Sequence, residues 1–182
     1  MNYLAHAYLS FNIPAVLAGN LISDFVKGKK QFDYPASVHK GIVLHRAIDQ
    51  FTDEHVETAI AKEIFRPQYR LYSGAFVDVA YDHFLANDTA QFTGNRLYEF
   101  SQEVYQALDQ FVPLFPAPFR AMYPYMKEQN WLYGYREHQG IANSFQGLVR
   151  RSAYLTESRT AFQLFEDNYD ALQACYARFS LP

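Results

Sequence analysis

The stretch Ala75–Asn87, which reads AFVDVAYDHFLAN, decides the fold because its polar residues do not form an ordinary solvated face. Asp78 and Asp82 are four residues apart, so one face of an α-helix carries both carboxylates, one turn apart. His83 follows on a neighbouring face, about 100° round the helix. The remaining side chains are mostly apolar, and carboxylates in such surroundings resist ionisation unless a cation lies between them. The stretch therefore predicts a buried helix that binds a metal ion.

A second helical stretch predicts the same kind of site. Val38–Gln50, which reads VHKGIVLHRAIDQ, places His45 and Asp49 one turn apart. Asn20 and Asp24 have the same spacing in GNLISDFV. Helical bundles build metal sites from side chains of separate helices. We therefore predict that one metal site in a bundle core collects the following residues: Asp24, His45, Asp49, Asp78, Asp82 and His83.

The rest of the chain also favours helices, since no stretch shows the sustained alternation and β-branched enrichment that are typical of strands. At 182 residues the chain fits one domain with a substantial core. We predict an all-α fold in which residues 1–182 form a single compact helical bundle. Leu155–Phe179 is expected to be one closing helix. Four prolines are expected to break their segment into short pieces: Pro113, Pro116, Pro118 and Pro124.

The composition excludes several classes of protein. Hydrophobic residues make up 49% of the chain, which excludes a disordered protein. The formal net charge of -3 argues against a dedicated nucleic-acid binder. The single cysteine, Cys175, excludes an internal disulfide and a cysteine-based zinc site. No apolar run approaches the ~20 residues that span a bilayer, and no signal peptide is visible, so we expect a cytoplasmic protein without a membrane segment.

Each candidate ligand also has a purely structural interpretation. Asp78 and Asp82 alternatively form an exposed helix edge, although aspartate is a mediocre residue inside helices. His45 and Asp49 alternatively form one hydrogen-bonded pair that only orients the imidazole. His83 alternatively lies in the core with a backbone carbonyl as its partner.

The ligand set indicates which ion and which reaction are expected. Four aspartates and two histidines without a thiolate form a hard set, which favours Mn²⁺ or Mg²⁺ over zinc and is also compatible with Fe²⁺. Such ions typically activate water against a phosphoester. Arg46 directly follows His45, and its guanidinium matches the geometry of phosphate oxygens. We therefore predict metal-dependent phosphoester hydrolysis.

Four blocks carry a resemblance to a known family, in this order: NYLAHAYLS, GNLISDFVKG, HKGIVLHRAID and VDVAYDHFL. Together they resemble the bacterial acyl carrier protein phosphodiesterases, which are regarded as divergent relatives of the HD-type metal-dependent phosphohydrolases. The resemblance implies an HD-like helical fold and Mn²⁺-dependent hydrolysis of holo-acyl carrier protein to apo-protein and 4′-phosphopantetheine. It places the family's motif aspartates and histidines at the six residues predicted above. The adjacent pair here reads Asp82-His83, whereas the HD family has His-Asp.

Further roles follow from this reaction. We expect Asp24 and Asp78 to be catalytic together with Arg46, and His6 to protonate the leaving serine. Acyl carrier proteins are acidic, so their enzyme needs a local basic patch. Three lysines that follow Asp24 within a few residues are expected to bind the carrier protein, together with Arg46: Lys27, Lys29 and Lys30.

Other functions remain open at this point. The same ions would serve a phosphohydrolase of a small nucleotide or another diester. A non-enzymatic metal-binding bundle and a scaffold with internally paired charges are the remaining alternatives.

Overall fold

A computed structural model describes residues 1–179 of the chain. These residues contain eleven α-helices and no strand, which confirms the all-α prediction. The helices are α1 (Tyr3–Tyr8), α2 (Pro14–Ile22), α3 (Ala36–Glu54), α4 (Val56–Tyr69), α5 (Ser73–Ala86), α6 (Arg96–Asp109), α7 (Ala117–Glu128), α8 (Trp131–Gly134), α9 (His138–Arg151), α10 (Arg159–Asp167) and α11 (Tyr169–Phe179). Short 3-10 turns span Ser23–Phe25, Gly28–Asp33, Arg70–Tyr72 and Val112–Leu114. Within residues 1–179, none of the helices has the length and apolar character needed to cross a bilayer.

The helices gather into two compact units. One unit, named here the α2–α3 unit, consists of Tyr3–Asp49 and Thr89–Tyr133. The other, named the α4–α5 unit, consists of Met1–Asn2, Gln50–Asp88 and the described residues from Gly134 onward. The expectation of a single domain over residues 1–182 stays a prediction.

Two glycines allow α2 and α3 to approach each other closely. A Cβ atom at Gly19 would lie 1.9 Å from the carbonyl oxygen of Val38, and one at Gly41 would lie 2.0 Å from that of Val16. Real Cβ atoms never approach backbone atoms so closely, so each helix must present a glycine at the crossing. The close crossing brings Asn20, the residue after Gly19, next to the His45 side chain on α3.

An aromatic cluster forms the core of the α4–α5 unit. The ring of Phe76 on α5 lies 5.6 Å from that of Phe65 on α4 and 5.0 Å from that of Phe145 on α9. All three side chains are fully buried. Because apolar residues occupy most of its surface, α5 is buried along nearly its whole length, as the sequence predicted.

Two expectations about helix boundaries were wrong. The segment rich in proline contains one continuous helix, α7, which passes through Pro124. A proline removes only one backbone donor, and the buried side chains of Phe119, Tyr123 and Met126 hold the helix in place. The expected closing helix is divided into α10 and α11, because the Asn168 side chain donates to the carbonyl of Leu164 at 2.8 Å and ends α10.

Candidate metal centre

Four side chains of the α2–α3 unit meet at one point. Nε2 of His45 lies 3.0 Å from Oδ2 of Asp49, one turn further along α3, and 3.1 Å from Oδ1 of Asp24. Nε2 of His6, from α1, lies 3.2 Å from the other oxygen of Asp49, Oδ1. The two imidazole rings stack, with centroids 3.9 Å apart and planes inclined by 12°. Both imidazoles therefore direct Nε2 toward the same carboxylate.

Three of these residues have the spacing of metal ligands. His6, His45 and Asp49 can each offer one ligand atom such that all three atoms lie within 4.8 Å of one another. The two histidines are buried, whereas Asp49 is half-buried. Asp24 stands on the open side of the group, with 70% of its side chain exposed. The cluster is therefore shielded from solvent on the side of the two histidines and accessible to solvent on the side of Asp24.

The tautomer of His45 is fixed from α2. Its Nδ1 lies 2.8 Å from the backbone carbonyl oxygen of Asn20, which can only accept, so Nδ1 carries the proton and donates it. Nε2 is thereby left to face the carboxylates. The buried side-chain amide of Asn20 donates to the backbone carbonyl of His6 at 2.8 Å and to the hydroxyl of Ser10 at 3.0 Å. One asparagine therefore holds both histidines.

The carboxylates of the cluster are ionised. The hydrogen bond with His45 holds the pKa of Asp24 below its usual value. Burial acts to raise the pKa of Asp49, but the neighbouring imidazoles of His45 and His6 lower it by more. Burial opposes a charge on His45 as well, yet the two carboxylates raise its pKa to about 9. Burial lowers the pKa of His6.

The residues fit a divalent cation. His6 is 98% buried, yet among residues 1–179 its Nδ1 has no partner and its Nε2 has only Oδ1 of Asp49, 3.2 Å away and not aligned for a hydrogen bond, which is unfavourable for buried polar atoms. Because the two carboxylates raise the pKa of His45 to about 9, its Nε2 holds a proton between the ring and the carboxylates when no metal ion is bound, at the place that a cation would take. A cation among His6, His45 and Asp49 would replace that proton and would give Nε2 of His6 a partner.

Asp78 and Asp82 lie on α5, in the α4–α5 unit, and have contacts there. Oδ1 of Asp78 pairs with the amino group of Met1 at 2.8 Å. The fully buried Asp82 accepts a hydrogen bond from the backbone nitrogen of Asn2 at 3.3 Å. The structure groups three of the six predicted ligands, and a common metal site that includes Asp78 and Asp82 stays a prediction.

His83 has the structural role considered as its alternative. Its Nδ1 lies 2.8 Å from the carbonyl oxygen of Tyr135, and its Nε2 lies 2.9 Å from the hydroxyl of Tyr169. The carbonyl only accepts, so Nδ1 is protonated and the Nε2 lone pair is used by the tyrosine hydroxyl. This geometry leaves no lone pair for an ion, and it gives no support to His83 as a ligand.

The predicted substrate-binding residues lie beside the cluster, in the same unit. Lys27, Lys29 and Lys30 are exposed at the start of the 3-10 turn that follows Asp24. The guanidinium of Arg46 donates to the Gln31 side chain at 2.7 Å and to the Val26 carbonyl at 3.4 Å. These two hydrogen bonds connect the lysine-bearing turn, Gly28–Asp33 with the preceding Lys27, to α3.

Two features of the cluster escaped sequence reasoning. His6 was expected as a proton donor, because a single histidine in an apolar run carries no ligand spacing of its own. Asn20 was noted only for its distance from Asp24, since no sequence pattern reveals that a backbone carbonyl will hold an imidazole. The sequence feature that pointed to Asn20 was its position directly after Gly19, the glycine at the helix crossing.

Comparison with known proteins identifies the family. The family model described as acyl carrier protein phosphodiesterase matches residues 1–181. The chain belongs to this family. A relative named acyl carrier protein phosphodiesterase from Klebsiella pneumoniae is 37% identical over 180 residues, which cover 98% of this chain and 93% of the relative. Proteins of the same name from Yersinia pestis and Escherichia coli O139:H28 are 34% and 33% identical over the same shares of both chains. No solved structure matches the chain.

The family assignment confirms the resemblance that the four sequence blocks indicated. Similarity extends over almost the whole chain and over almost the whole length of each relative. The relationship to HD-type phosphohydrolases stays a prediction.

Proposed function

We propose that the protein hydrolyses the phosphodiester between the serine of holo-acyl carrier protein and 4′-phosphopantetheine, giving apo-acyl carrier protein and free 4′-phosphopantetheine. The observation that carries this proposal is membership of the acyl carrier protein phosphodiesterase family over residues 1–181. The cluster around His45 supports it, because buried imidazoles facing an ionised carboxylate suit metal-dependent hydrolysis.

The residues that would hold the ion are His6, His45 and Asp49, with Asp24 next to them. Two imidazole nitrogens combined with carboxylate oxygens suit Mn²⁺ better than Mg²⁺, which prefers oxygen ligands alone, and Fe²⁺ also accepts this set. When bound, such an ion lowers the pKa of water and offsets the charge that develops on phosphoryl oxygens. His6 is assigned here as a ligand, because it is buried and its Nε2 lies 3.2 Å from Asp49, and its role as proton donor to the leaving serine stays a prediction.

Asp24 is the residue best suited to handle water. Its carboxylate is ionised, is largely exposed, and lies at the open side of the cluster. It can accept a hydrogen bond from a water molecule and orient it, or take its proton as a general base. Asp49, which both histidines face, is more enclosed and serves better as a ligand.

The lysine-bearing turn is proposed to bind the acidic carrier protein. Lys27 lies three residues after Asp24 in the chain, and the three lysines are exposed in the same unit as the cluster. Arg46 holds this turn through Gln31 and the Val26 carbonyl. Its direct role as a phosphate clamp stays a prediction, since it would have to exchange Gln31 for the substrate.

The function is tested by incubating the protein with Mn²⁺ and holo-acyl carrier protein and following the mass of the carrier protein. A loss equal to the phosphopantetheine group is expected, and it should disappear in Asp49→Asn. The exposed Asp170→Asn removes the same charge and should leave turnover intact. No mass loss, together with cleavage of bis(p-nitrophenyl) phosphate, would favour a hydrolase of another diester. Bound Mn²⁺ without any hydrolysis would favour a metal-binding protein.

The same assay separates the two groups of predicted ligands. Asp78→Asn with normal Mn²⁺ content and normal turnover would remove Asp78 from the site. Loss of Mn²⁺ in Asp78→Asn would support the larger ligand set that the sequence predicted.

A further inference from the structure

A basic cleft lies on the α4–α5 unit, and its lining includes Asp78 but none of the four clustered residues His6, Asp24, His45 and Asp49. The cleft encloses about 690 Å³, which is within the size range of small-molecule sites. One wall is the C-terminal part of α4, and the other is the first turn of α5, with Ser73, Gly74 and Ala75.

Three cations form a stripe along the α4 wall. Lys62 and Arg66 are one turn apart on the same side of α4, about 6 Å from each other, and Arg70 lines the same cleft from just beyond the end of the helix. Arg70 directly follows the last residue of α4. The stripe therefore directs three positive side chains into one concave space.

The acidic residues of the cleft already have partners. Asp53 pairs with Lys62 at 2.6 Å, and the Lys62 side chain is only 16% exposed. Asp78 pairs with the amino group of Met1 at 2.8 Å. These contacts neutralise Lys62 and both carboxylates. The positive charge that is left belongs to the two arginines.

The two arginines are available to a ligand. Arg66 pairs with Glu63 at 3.0 Å on the outside of the helix, where both side chains are more than half exposed, and such surface pairs are weak. Arg70 forms no ion pair with any of residues 1–179. Two guanidinium groups that line one cleft can converge on one ligand group, and their planar fork matches phosphate oxygens. The helix dipole of α5 adds a favourable field at the opposite wall.

We propose that this cleft binds a small phosphate-bearing anion, with Arg66 and Arg70 as the residues that contact the phosphate. The site goes beyond the proposed hydrolysis, because Arg66 and Arg70 are not among the residues predicted or proposed to hold the metal ion. The volume of the cleft is within the range of small-ligand sites, and two guanidinium groups in one concave space match a compact phosphate.

One substitution removes a guanidinium without straining the fold. Arg70 has φ +47° and ψ −115°, a conformation that glycine adopts more easily than any other residue. Arg70→Gly should therefore fold at least as well as the natural chain. Combined with Arg66→Gln, it removes both proposed contacts. The matched control, Arg150→Gln with Arg151→Gln, removes two exposed charges from the same unit.

The test is a titration of the full chain with inorganic phosphate at constant ionic strength, with EDTA present, followed by ¹⁵N NMR. We expect saturable shifts of the Gly74 and Ala75 amides and a Kd at least tenfold weaker in the Arg66/Arg70 variant. The control variant should bind within twofold of the natural chain. Circular dichroism and Tm measurements establish that both variants are folded. Should the double variant not fold, Arg66→Gln alone is expected to weaken binding at least threefold.

Three results would overturn the proposal. The first is the absence of saturable shifts at Gly74 and Ala75 in the natural chain. The second is equal phosphate affinity in all three proteins. The third is binding of poly-glutamate, but not of phosphate, in a manner that depends on Arg66 and Arg70, since the cleft would then be a docking surface for acidic protein.

Discussion

The backbone carbonyl of Asn20 lies 2.8 Å from Nδ1 of His45, and this contact determines which nitrogen of the imidazole faces the carboxylates. The same residue holds His6 through its side-chain amide. The two contacts join α1, α2 and α3 around one buried residue. Partners of this kind, outside the ligands themselves, often contribute strongly to metal affinity because they fix ring orientation.

The first prediction concerns the side chain of Asn20. Asn20→Asp replaces the amide donor by a carboxylate oxygen that repels the carbonyl of His6, while the backbone contact to His45 remains. We expect His6 to shift and Mn²⁺ affinity to fall about 10–100-fold. Isothermal titration calorimetry of the purified variant with Mn²⁺ measures this change.

Ser10→Ala is the control for Asn20→Asp. It removes the second partner of the Asn20 amide but leaves the bond to the His6 carbonyl, so its effect on affinity should be less than threefold. Unchanged Mn²⁺ affinity in a folded Asn20→Asp protein would contradict a role for Asn20 in holding the ligands.

The second prediction concerns the crossing of α2 and α3. Gly41→Ala places a methyl group 2.0 Å from the backbone oxygen of Val16, so the helices must separate. We expect the free energy of unfolding to fall by about 3 kcal/mol, at the upper end of typical overpacking effects. Mn²⁺ affinity should also decrease, since Asn20 and His45 are on opposite sides of the crossing. Urea denaturation and calorimetry measure the two quantities.

Gly147→Ala separates the crossing from the general effect of a methyl group. Gly147 lies inside α9, and the nearest atom to an added Cβ is the flexible end of Arg151 at 3.6 Å. Alanine favours helices, so this variant should be as stable as the natural chain or slightly more stable. Equal stability of the Gly41 and Gly147 variants would show that the crossing tolerates a side chain.

The sequence predicted those parts of the site that depend on one helix. His45 and Asp49 meet because i, i+4 spacing alone brings them together on α3. Contacts between helices were not predictable in the same way. The position of a residue on a helix indicates the direction in which its side chain points. It does not indicate which residue of another helix that side chain will contact. His83 therefore looked like a ligand, whereas its partners are a carbonyl of Tyr135 and a hydroxyl of Tyr169.

The same distinction between local signals and contacts between helices explains which parts of the fold were predictable. Hydrophobic periodicity and the absence of strand patterns are local signals, and they predicted an all-α chain correctly. Helix ends depend on competition between local breakers and tertiary packing. Pro124 does not end α7, because buried neighbours hold the helix. Asn168 is the residue at which α10 ends, and its side chain donates to the carbonyl of Leu164, as asparagines at helix ends and turns commonly do.

The third prediction concerns the lysine-bearing turn. Lys29→Glu combined with Lys30→Glu replaces two exposed positive charges beside Asp24 with negative ones. We expect KM for holo-acyl carrier protein to rise about tenfold at low salt, with a smaller effect at high salt because screening weakens such contacts. Mn²⁺ affinity should not change. Steady-state kinetics at two salt concentrations measure the effect.

Arg136→Glu with Arg159→Glu is the control for the lysine variant, because it makes the same charge change on the α4–α5 unit. Its KM should remain within twofold of that of the natural chain. Equal kinetics of the lysine variant and the natural chain at low salt would remove this turn from the carrier-protein interface.

The fourth prediction concerns the buried His83. Burial lowers its pKa below the usual value of 6.5, against a smaller opposing effect of the Tyr135 carbonyl. The native state therefore binds fewer protons than the unfolded state between the two pKa values. The stability that depends on neutral His83 is fully present above pH 6.5 and is lost as pH falls below it, by at most about 1.4 kcal/mol per pH unit.

His83→Gln should remove this pH dependence, because glutamine keeps a polar side chain that does not titrate. The free energy of unfolding from urea denaturation between pH 7.5 and about 4.5 should fall less steeply in His83→Gln than in the natural chain. Parallel slopes for His83→Gln and the natural chain would mean that His83 does not stay neutral in the folded protein. Its hydrogen bonds to Tyr135 and Tyr169 would then need to be assigned to a protonated ring.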